Sequence, residues 1–184
     1  MLGAGMAMIH HRNLAGNTYV KQLNNEKRIA KTVRLQNGQL FLIIGLRMQM
    51  QSQSKKEIKL LKTIIEGIRL DTRISNVAIY GDFNLNLSNR KNKKMIEKLE
   101  AFLHTKQLFL HRTGQSTRQE MKYKRVTKTQ VDFFISSFQN EKILSVTSIS
   151  REPEMRGSDH FPIQIVIQLE EAPELTKRTI VNHK

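Results

Sequence analysis

The sequence contains no cysteine, which excludes disulfide bonds, thiolate nucleophiles and cysteine-based zinc or iron–sulfur sites. Long apolar runs are also absent, since none approaches the roughly 18 to 20 residues that a membrane-spanning helix needs. The opening residues lack the basic n-region of a secretory signal peptide. Acidic residues are few, with 16 Asp and Glu against 31 Lys and Arg. We therefore expect an intracellular protein without a membrane span.

The excess of basic residues gives a formal net charge of +15 over 184 residues. That length is enough for one domain with its own core, and the charge favours a polyanionic partner, either nucleic acid or an anionic membrane surface. Two basic stretches, residues 90–94 and 122–125, favour nucleic acid. The alternative interpretation is that each stretch is a solvated basic face, which is the commoner role of a lone lysine run.

The apolar pattern predicts strands that alternate with two helices. Ser54 and Glu57 form a capping-box pattern, which predicts the start of a helix. One face of that helix is apolar at spacings of three and four, through Ile58, Leu61, Ile65 and Ile68. A second helix is predicted over residues 93–105, with an apolar side formed by Met95, Leu99, Phe102 and Leu103.

Strands and turns complete the predicted fold. The dipeptide Asn37-Gly38 is typical of a tight hairpin turn. Strands are predicted over residues 5–9, 28–35, 40–44, 76–80, 131–136, 144–148 and 161–167. The alternation of strands and helices predicts an α/β fold with sheets packed inside and helices outside.

The first candidate site is Gly81-Asp82-Phe83-Asn84, directly after the strand predicted to end at Tyr80. An acid and a carboxamide two residues apart lie on one side of the backbone, at the strand end where sites form. The carboxylate of Asp82 is suited to holding a water or a metal ion, and the amide of Asn84 to donating to a phosphate oxygen. Because Gly, Asp and Asn all favour turns, an ordinary turn is the alternative interpretation.

The second candidate site is Ser158-Asp159-His160-Phe161-Pro162-Ile163, at the start of an apolar run. Adjacent Asp159 and His160 offer a metal or proton-transfer site, with a polar surface loop as the alternative. Between the two candidate sites, Asp132 interrupts an apolar strand. A buried carboxylate is costly without a partner, so we expect Asp132 to contact His160, unless the strand lies at an edge and Asp132 faces water.

In this order, the three motifs resemble the endonuclease/exonuclease/phosphatase superfamily. The family marks are Gly-Asp-x-Asn after a strand, an Asp in a hydrophobic strand, and Ser-Asp-His near the C-terminus. The resemblance implies a four-layer α/β sandwich, in which helices flank two packed β-sheets. Ser116-Thr117-Arg118, followed by residues 127–134, is most similar to the endonucleases of non-LTR retrotransposons. In that branch Thr117 would contact a phosphate.

The resemblance implies Mg²⁺- or Mn²⁺-dependent hydrolysis of phosphodiesters in nucleic acid, with DNA as the expected substrate. Asp82 would orient or deprotonate the attacking water, and Asn84 would hydrogen-bond the developing charge on phosphate oxygens. His160 would contact the phosphate while Asp132 fixes its orientation, and Asp159 would lie in the metal shell. The resemblance also implies a nuclear location and, as partner, a reverse transcriptase encoded by the same element.

The sequence departs from the family pattern at two places. The family's first strand with its Asn, and the metal-binding Glu that follows, have no counterpart, so we expect residues 1–169 to form a domain incomplete at the N-terminus and residues 170–184 a polar tail. Arg47 stands where the family has Tyr, and Gln49 where it has Pro. Arg47 is able to contact the phosphate as a cation. We expect weak or no nuclease activity from this chain.

Two other functions fit the same residues. One is a non-catalytic, basic nucleic-acid-binding remnant of a mobile-element endonuclease. The other is a phosphatase of small phosphorylated headgroups on the same fold. A long duplex makes many phosphate contacts and a small headgroup few, so the salt dependence of binding separates duplex from headgroup.

Overall fold

The computed structural model describes the chain over residues 18–19, 28–34, 38–48, 54–68, 74–122, 125–138, 143–149 and 158–168. The predicted strand at residues 5–9, the predicted tail at residues 170–184 and the turn residue Asn37 lie outside the described residues. Among the described residues, neither helix is long and apolar enough to cross a membrane.

The described elements alternate as the sequence predicts. The strands are β1 (Thr18–Tyr19), β2 (Arg28–Arg34), β3 (Leu40–Arg47), β4 (Ile74–Asp82), β5 (Phe109–His111), β6 (Arg118–Lys122), β7 (Arg125–Thr129), β8 (Asp132–Ser136), β9 (Ile143–Ser148) and β10 (Ile163–Ile167). The helices are α1 (Ser54–Ile68) and α2 (Lys93–Thr105), with a short 3-10 helix (Arg90–Asn92) before α2.

Six strands form one mixed sheet in the order β1-β2-β3-β4-β8-β5. Strands β3 and β4 are parallel and are joined through α1, while the other neighbours in this sheet are antiparallel. β6 pairs with β7 and β9 with β10 in two smaller antiparallel sheets. This architecture confirms the predicted α/β class and agrees with an incomplete sandwich.

Both helices bury one face in the core, as their periodicity predicts. Buried positions on α1 are Leu61, Ile64, Ile65 and Ile68. On α2 the buried positions are Ile96, Leu99 and Leu103, and Met95 and Phe102 are only partly buried against the same core. The buried side of α2 is therefore centred on Ile96 and Leu99. The predicted side had Met95 in place of Ile96, so the buried side is rotated around the helix axis relative to the prediction.

Four strands were not predicted, for two physical reasons. β1 has only two residues. β5 has only three residues, and β6 and β7 carry mostly polar side chains, with all four residues of 125–128 exposed. A two-stranded ribbon that leaves the core has no buried face, so it produces no apolar alternation for a sequence pattern to detect.

Strand β4 runs two residues beyond its predicted end, to Asp82. The extension is held by the Met48 N–H, which donates to the Asp82 carbonyl at 2.7 Å. Gly81 makes it possible, because its φ of +140° suits glycine and a Cβ built there would lie 1.9 Å from the Leu46 carbonyl oxygen. The first two residues of the motif therefore belong to the strand rather than to a turn after it.

Two stacked phenylalanines lie beneath the ends of β4 and β8. The rings of Phe83 and Phe133 are 3.8 Å apart between centroids, at an angle of 10°. Both side chains are buried in the core cluster. Phe83 directly follows Asp82 in the sequence, and Phe133 directly follows Asp132. The contact between the two rings therefore anchors the strand ends that carry the acids.

The buried pair of His111 and Ser136 predicts a pH dependence of stability. Their Nε2 and Oγ atoms are 2.9 Å apart, and burial lowers the pKa of His111. Because the unfolded chain takes up a proton that the folded chain resists, His111 should reduce the free energy of unfolding as the pH falls below about 6.5. Urea unfolding at pH 7.5 and 5.5 measures this effect.

The control for this prediction is His111→Gln, which keeps a polar side chain but cannot titrate. The other titrating groups contribute to both proteins, so the difference between their pH profiles isolates His111. We expect a smaller loss of stability between pH 7.5 and 5.5 in the variant. Identical profiles would contradict the prediction.

Candidate active site

The ends of β4 and β8 bring two carboxylates side by side. Asp82 and Asp132 are directly opposite residues in the antiparallel pair, so their side chains lie on the same face of the sheet. The Phe83 N–H donates to the Val131 carbonyl at 3.0 Å and continues the pairing past the strand ends. Residues that are 50 positions apart in sequence thereby form one acidic cluster.

Asn84 is fixed against Asp82 by its side chain and its backbone. Its Nδ2 donates to Asp82 Oδ2 at 3.0 Å and to the Met48 carbonyl at 2.7 Å, and its backbone N–H donates to Asp82 Oδ1 at 2.9 Å. The φ of Asn84 is +48°, in the left-handed region that Asn tolerates better than most residues. The fold therefore holds the Asn84 amide and the Asp82 carboxylate in direct contact.

The expected contact between Asp132 and His160 is confirmed. His160 Nδ1 lies 2.9 Å from Asp132 Oδ2 and 3.2 Å from Oδ1. Its other ring nitrogen, Nε2, lies 3.9 Å from Asp82 Oδ2. The imidazole thus stands between the two acids, with Nδ1 held by Asp132 and Nε2 turned toward Asp82.

The pKa values of Asp82 and His160 are both raised, for different reasons, and the shifts suit the two residues to different roles. Burial, followed by the neighbouring Asp132, raises the pKa of Asp82, and the N–H of Asn84 opposes that shift. The hydrogen bond with Asp132 raises the pKa of His160, against its partial burial. A carboxylate with a raised pKa is a better proton acceptor, and an imidazole with a raised pKa more readily carries a positive charge.

Asp159, which the resemblance places in the metal shell, has a partner that the sequence did not predict. The carboxylate of Asp159 is paired with Arg118, whose Nε lies 2.6 Å from Asp159 Oδ2. Partial burial acts to raise the pKa of Asp159, and the Arg118 guanidinium overrides it and lowers that pKa. Among the described residues, the ligand atoms that lie within 4.8 Å of one another belong to Asp82, Asp132 and His160.

Thr117 also has a different role from the predicted one. Its side chain is fully buried, and its hydroxyl accepts hydrogen bonds from the N–H groups of Val131 and Asp132, each at 3.0 Å. A hydroxyl so enclosed does not reach a phosphate. Thr117 instead fixes the backbone of the strand that carries Asp132.

Arg47 lies at the same end of the sheet as the acids. It is paired in register with Asp82 on the neighbouring parallel strand, and its side chain is exposed. This position agrees with a cation beside the cluster, at the place where the family has Tyr.

The site also includes interactions that the sequence did not predict. Arg118 was noted only as part of the Thr117 motif, and its partner Asp159 lies 41 positions away. Ser158 fixes the backbone of His160, since its Oγ accepts a hydrogen bond from the His160 N–H at 3.1 Å. No spacing rule links Arg118 to Asp159, and only the fold brings them together.

The donor set fits a divalent cation that prefers oxygen. Mg²⁺ is usually held by one or two carboxylates, together with water and substrate phosphate, and Mn²⁺ has the same preference. Asp82 and Asp132 supply two carboxylates on one face. The imidazole of His160 is engaged by Asp132, so the carboxylates are the groups suited to the ion.

The fold and this cluster together define a class. The chain has the endonuclease/exonuclease/phosphatase fold, with paired acids and an asparagine at the ends of β4 and β8 and a histidine from the segment before β10. No family model and no curated protein matches the sequence. The resemblance is therefore carried by structure and by the motifs.

Solved structures with this fold include three that bear on the chain. The endonuclease domain of TRAS1, a telomere-specific non-LTR retrotransposon, is 12% identical, with a TM-score of 0.63 over 85% of this chain and 70% of that domain. A beta toxin variant from Staphylococcus aureus with bound magnesium ions is 18% identical, with a TM-score of 0.57 over 78% of this chain. A mannosyl-6-phosphatase from Bacteroides thetaiotaomicron is 16% identical, with a TM-score of 0.51 over 77% of this chain. The chain spans 58% of the toxin and 57% of the phosphatase.

Proposed function

We propose that the protein is a metal-dependent phosphodiester hydrolase that acts on nucleic acid, with DNA as the substrate. The observation that carries the proposal is the arrangement of Asp132, His160 and Asp82, in which one acid holds Nδ1 of the imidazole while Nε2 faces the other acid. The similarity in fold to the TRAS1 endonuclease domain supports it. We also propose an origin in a mobile element, a nuclear location and a reverse transcriptase as partner, and the similarity to a retrotransposon domain supports the first of these.

The roles follow from the positions of the side chains. Asp82, with its raised pKa, orients the attacking water and accepts its proton as the new bond to phosphorus forms. The amide of Asn84 lies beside it, and the N–H that contacts Asp82 Oδ2 is the one that would turn to donate to a phosphate oxygen, since the other is held by the Met48 carbonyl. Asp132 holds His160 so that Nε2 is presented to the phosphate, and Arg47 adds a positive charge at the same end of the sheet.

Asp82 and Asp132 are the residues that would hold Mg²⁺ or Mn²⁺. When bound, the ion supplies positive charge that polarises the phosphate and stabilises the leaving oxygen. The toxin structure with magnesium ions supports this choice of cofactor. Because Arg47 replaces the expected Tyr, and a small misplacement of the substrate can cost about 100-fold, we expect slow turnover.

Exposed cations favour nucleic acid over a small headgroup as the substrate. The β6–β7 ribbon starts at Arg118, which bridges to His160, and β7 carries Arg125 and Lys128 on its exposed surface. The exposed segment before and within the first turn of α2 carries four more cations: Arg90, Lys91, Lys93 and Lys94. A surface with several such cations can contact several phosphates of a duplex at once.

Nicking of supercoiled plasmid tests the proposal. With the protein in excess over plasmid, we expect slow conversion to the open circle in the presence of Mg²⁺ or Mn²⁺ and none in EDTA. Asp82→Ala should abolish the conversion. Equal nicking by the wild-type chain and Asp82→Ala would assign the activity to a contaminant and overturn the proposal.

The salt dependence of DNA binding gives a second prediction. Measured in EDTA by fluorescence anisotropy, the affinity for a duplex of unrelated sequence should fall steeply with salt, with a slope equivalent to at least about five phosphates. A slope equivalent to one or two phosphates would instead favour a phosphatase of small headgroups. Steep binding without nicking would favour the non-catalytic remnant.

A further inference from the structure

We propose that Arg118 is a positioning residue for the hydrolysis, acting through Asp159 to keep Nε2 of His160 directed at the phosphate. This inference deepens the proposed function and depends on it. Arg118 does not touch the reacting atoms in the described structure. It holds the turn that carries the histidine.

The backbone of residues 117–119 holds that turn on both sides of His160. Arg118 and His160 are paired in an isolated antiparallel bridge. The Gln119 N–H donates to the Asp159 carbonyl at 2.8 Å, and the Phe161 N–H donates to the Thr117 carbonyl at 2.7 Å. The residues before and after His160 are thus bonded to the same short segment.

The side chain of Arg118 adds a charged contact to this bridge. Its Nε lies 2.6 Å from Asp159 Oδ2, and the pair is partly shielded, with 21% of the Arg118 side chain and 44% of the Asp159 side chain exposed. The other carboxylate oxygen, Asp159 Oδ1, lies 3.9 Å from His160 Nε2. One oxygen is therefore tied to arginine while the second faces the nitrogen that must reach the substrate.

The ion pair with Arg118 limits the competition between the Asp159 carboxylate and the substrate phosphate for His160 Nε2. A carboxylate without its cation would accept a hydrogen bond from the Nε2–H of the imidazole, because charged acceptors form the stronger bonds. His160 would then lie between Asp132 and Asp159 and would not point toward the phosphate. The ion pair with Arg118 limits both the movement and the negative charge of Asp159.

The same segment links the turn to the second half of the dyad. The Thr117 hydroxyl accepts from the N–H groups of Val131 and Asp132, so residues 117–119 contact both Asp132 and the flanks of His160. Within residues 117–119, Thr117 is buried, whereas Arg118 is partly exposed and makes the charged contact with Asp159. Arg118 is therefore the residue through which this segment can be tested.

The test compares Arg118→Gln with Arg112→Gln in the full chain. Arg112 is the matched control, because its NH2 lies 2.6 Å from Glu100 Oε1 in an exposed ion pair between the end of β5 and helix α2. For Arg118→Gln we expect kcat for plasmid nicking to fall about 10- to 100-fold, with KM and the salt slope unchanged. Arg112→Gln should match the wild type.

Two further variants separate positioning from other roles. Arg118→Lys, which keeps the charge, should recover part of kcat. In Asp159→Asn the competing charge is gone, so adding Arg118→Gln to it should cause no further loss. An increase in KM with a shallower salt slope would make Arg118 a substrate-binding cation, and unchanged kinetics would give it no role. Either result overturns the proposal.

A spectroscopic readout keeps this test separate from the proposed function. Nitrogen-15 NMR of the His160 ring reports which nitrogen carries the proton and which accepts a hydrogen bond, whether or not the protein nicks DNA. In Arg118→Gln we expect the Nε2 resonance to shift toward that of a hydrogen-bonded nitrogen, and no shift in Arg112→Gln. Unchanged His160 resonances in Arg118→Gln would overturn the inference even if the nuclease activity is confirmed.

Discussion

Gly81→Ala should prevent the protein from reaching its native fold. The added methyl group would lie 1.9 Å from the Leu46 carbonyl oxygen, so β3 and β4 would have to separate at the middle of the six-stranded sheet. The φ of +140° adds strain that only glycine avoids. We expect a loss above about 4 kcal/mol, a large part of the total stability of a domain of this size. Circular dichroism and urea unfolding measure it.

Gly67→Ala is the matched control, because it makes the same chemical change where the space is open. Gly67 lies on the exposed side of α1, and a Cβ there meets nothing within 4 Å. Replacing a helical glycine by alanine typically stabilises by about 0.5–1 kcal/mol. If Gly81→Ala unfolds at the same urea concentration as Gly67→Ala, the close approach of β3 and β4 at this position is wrong.

Asp132→Asn should reduce nicking by about 10³- to 10⁴-fold while the protein stays folded. The amide has nearly the shape of the carboxylate, but it has no negative charge to hold the proton on His160 Nδ1, so the imidazole no longer carries the positive charge that it brings to the phosphate through Nε2. The dyad contact of 2.9 Å makes this effect direct. Single-turnover nicking measures the rate, and the ring resonances of His160 report its protonation.

His160→Ala should lose activity to a similar degree, because residues that act as a unit do not contribute additively. His104→Ala is its control, since His104 is exposed in the last turn of α2. Activity of Asp132→Asn within about threefold of the wild type would remove the dyad from the mechanism and leave Asp82 and Asn84 as the catalytic centre.

The sequence predicted the parts of this structure that a local pattern can express. Helix α2 has its predicted bounds, and the apolar face of α1 was predicted from its spacing. The contact between Asp132 and His160 was also predictable, because a carboxylate in an apolar strand demands a partner and His160 belongs to the most specific motif. In each case the prediction depends on a few residues: apolar side chains at helical spacing must be buried on one face, and a buried carboxylate must have a partner.

What the sequence did not predict depends on contacts between distant segments. The pairing of Arg118 with Asp159 joins two charged residues, and a +15 chain offers many such combinations. Thr117 was assigned to the phosphate from the family resemblance, whereas here the fold encloses it. The polar β6–β7 ribbon lacks the alternation that marks a strand packed on a core.

The stacked rings of Phe83 and Phe133 determine how the catalytic centre responds to local opening. Each ring is the chain neighbour of an acid of the site, and both are buried in the core. The N–H of Phe83, bonded to the Val131 carbonyl, should therefore exchange with solvent deuterium only when the whole domain unfolds. The backbone that carries the two acids should thus be among the slowest-exchanging parts of the molecule, although 19% of the Asp82 side chain and 11% of the Asp132 side chain remain exposed.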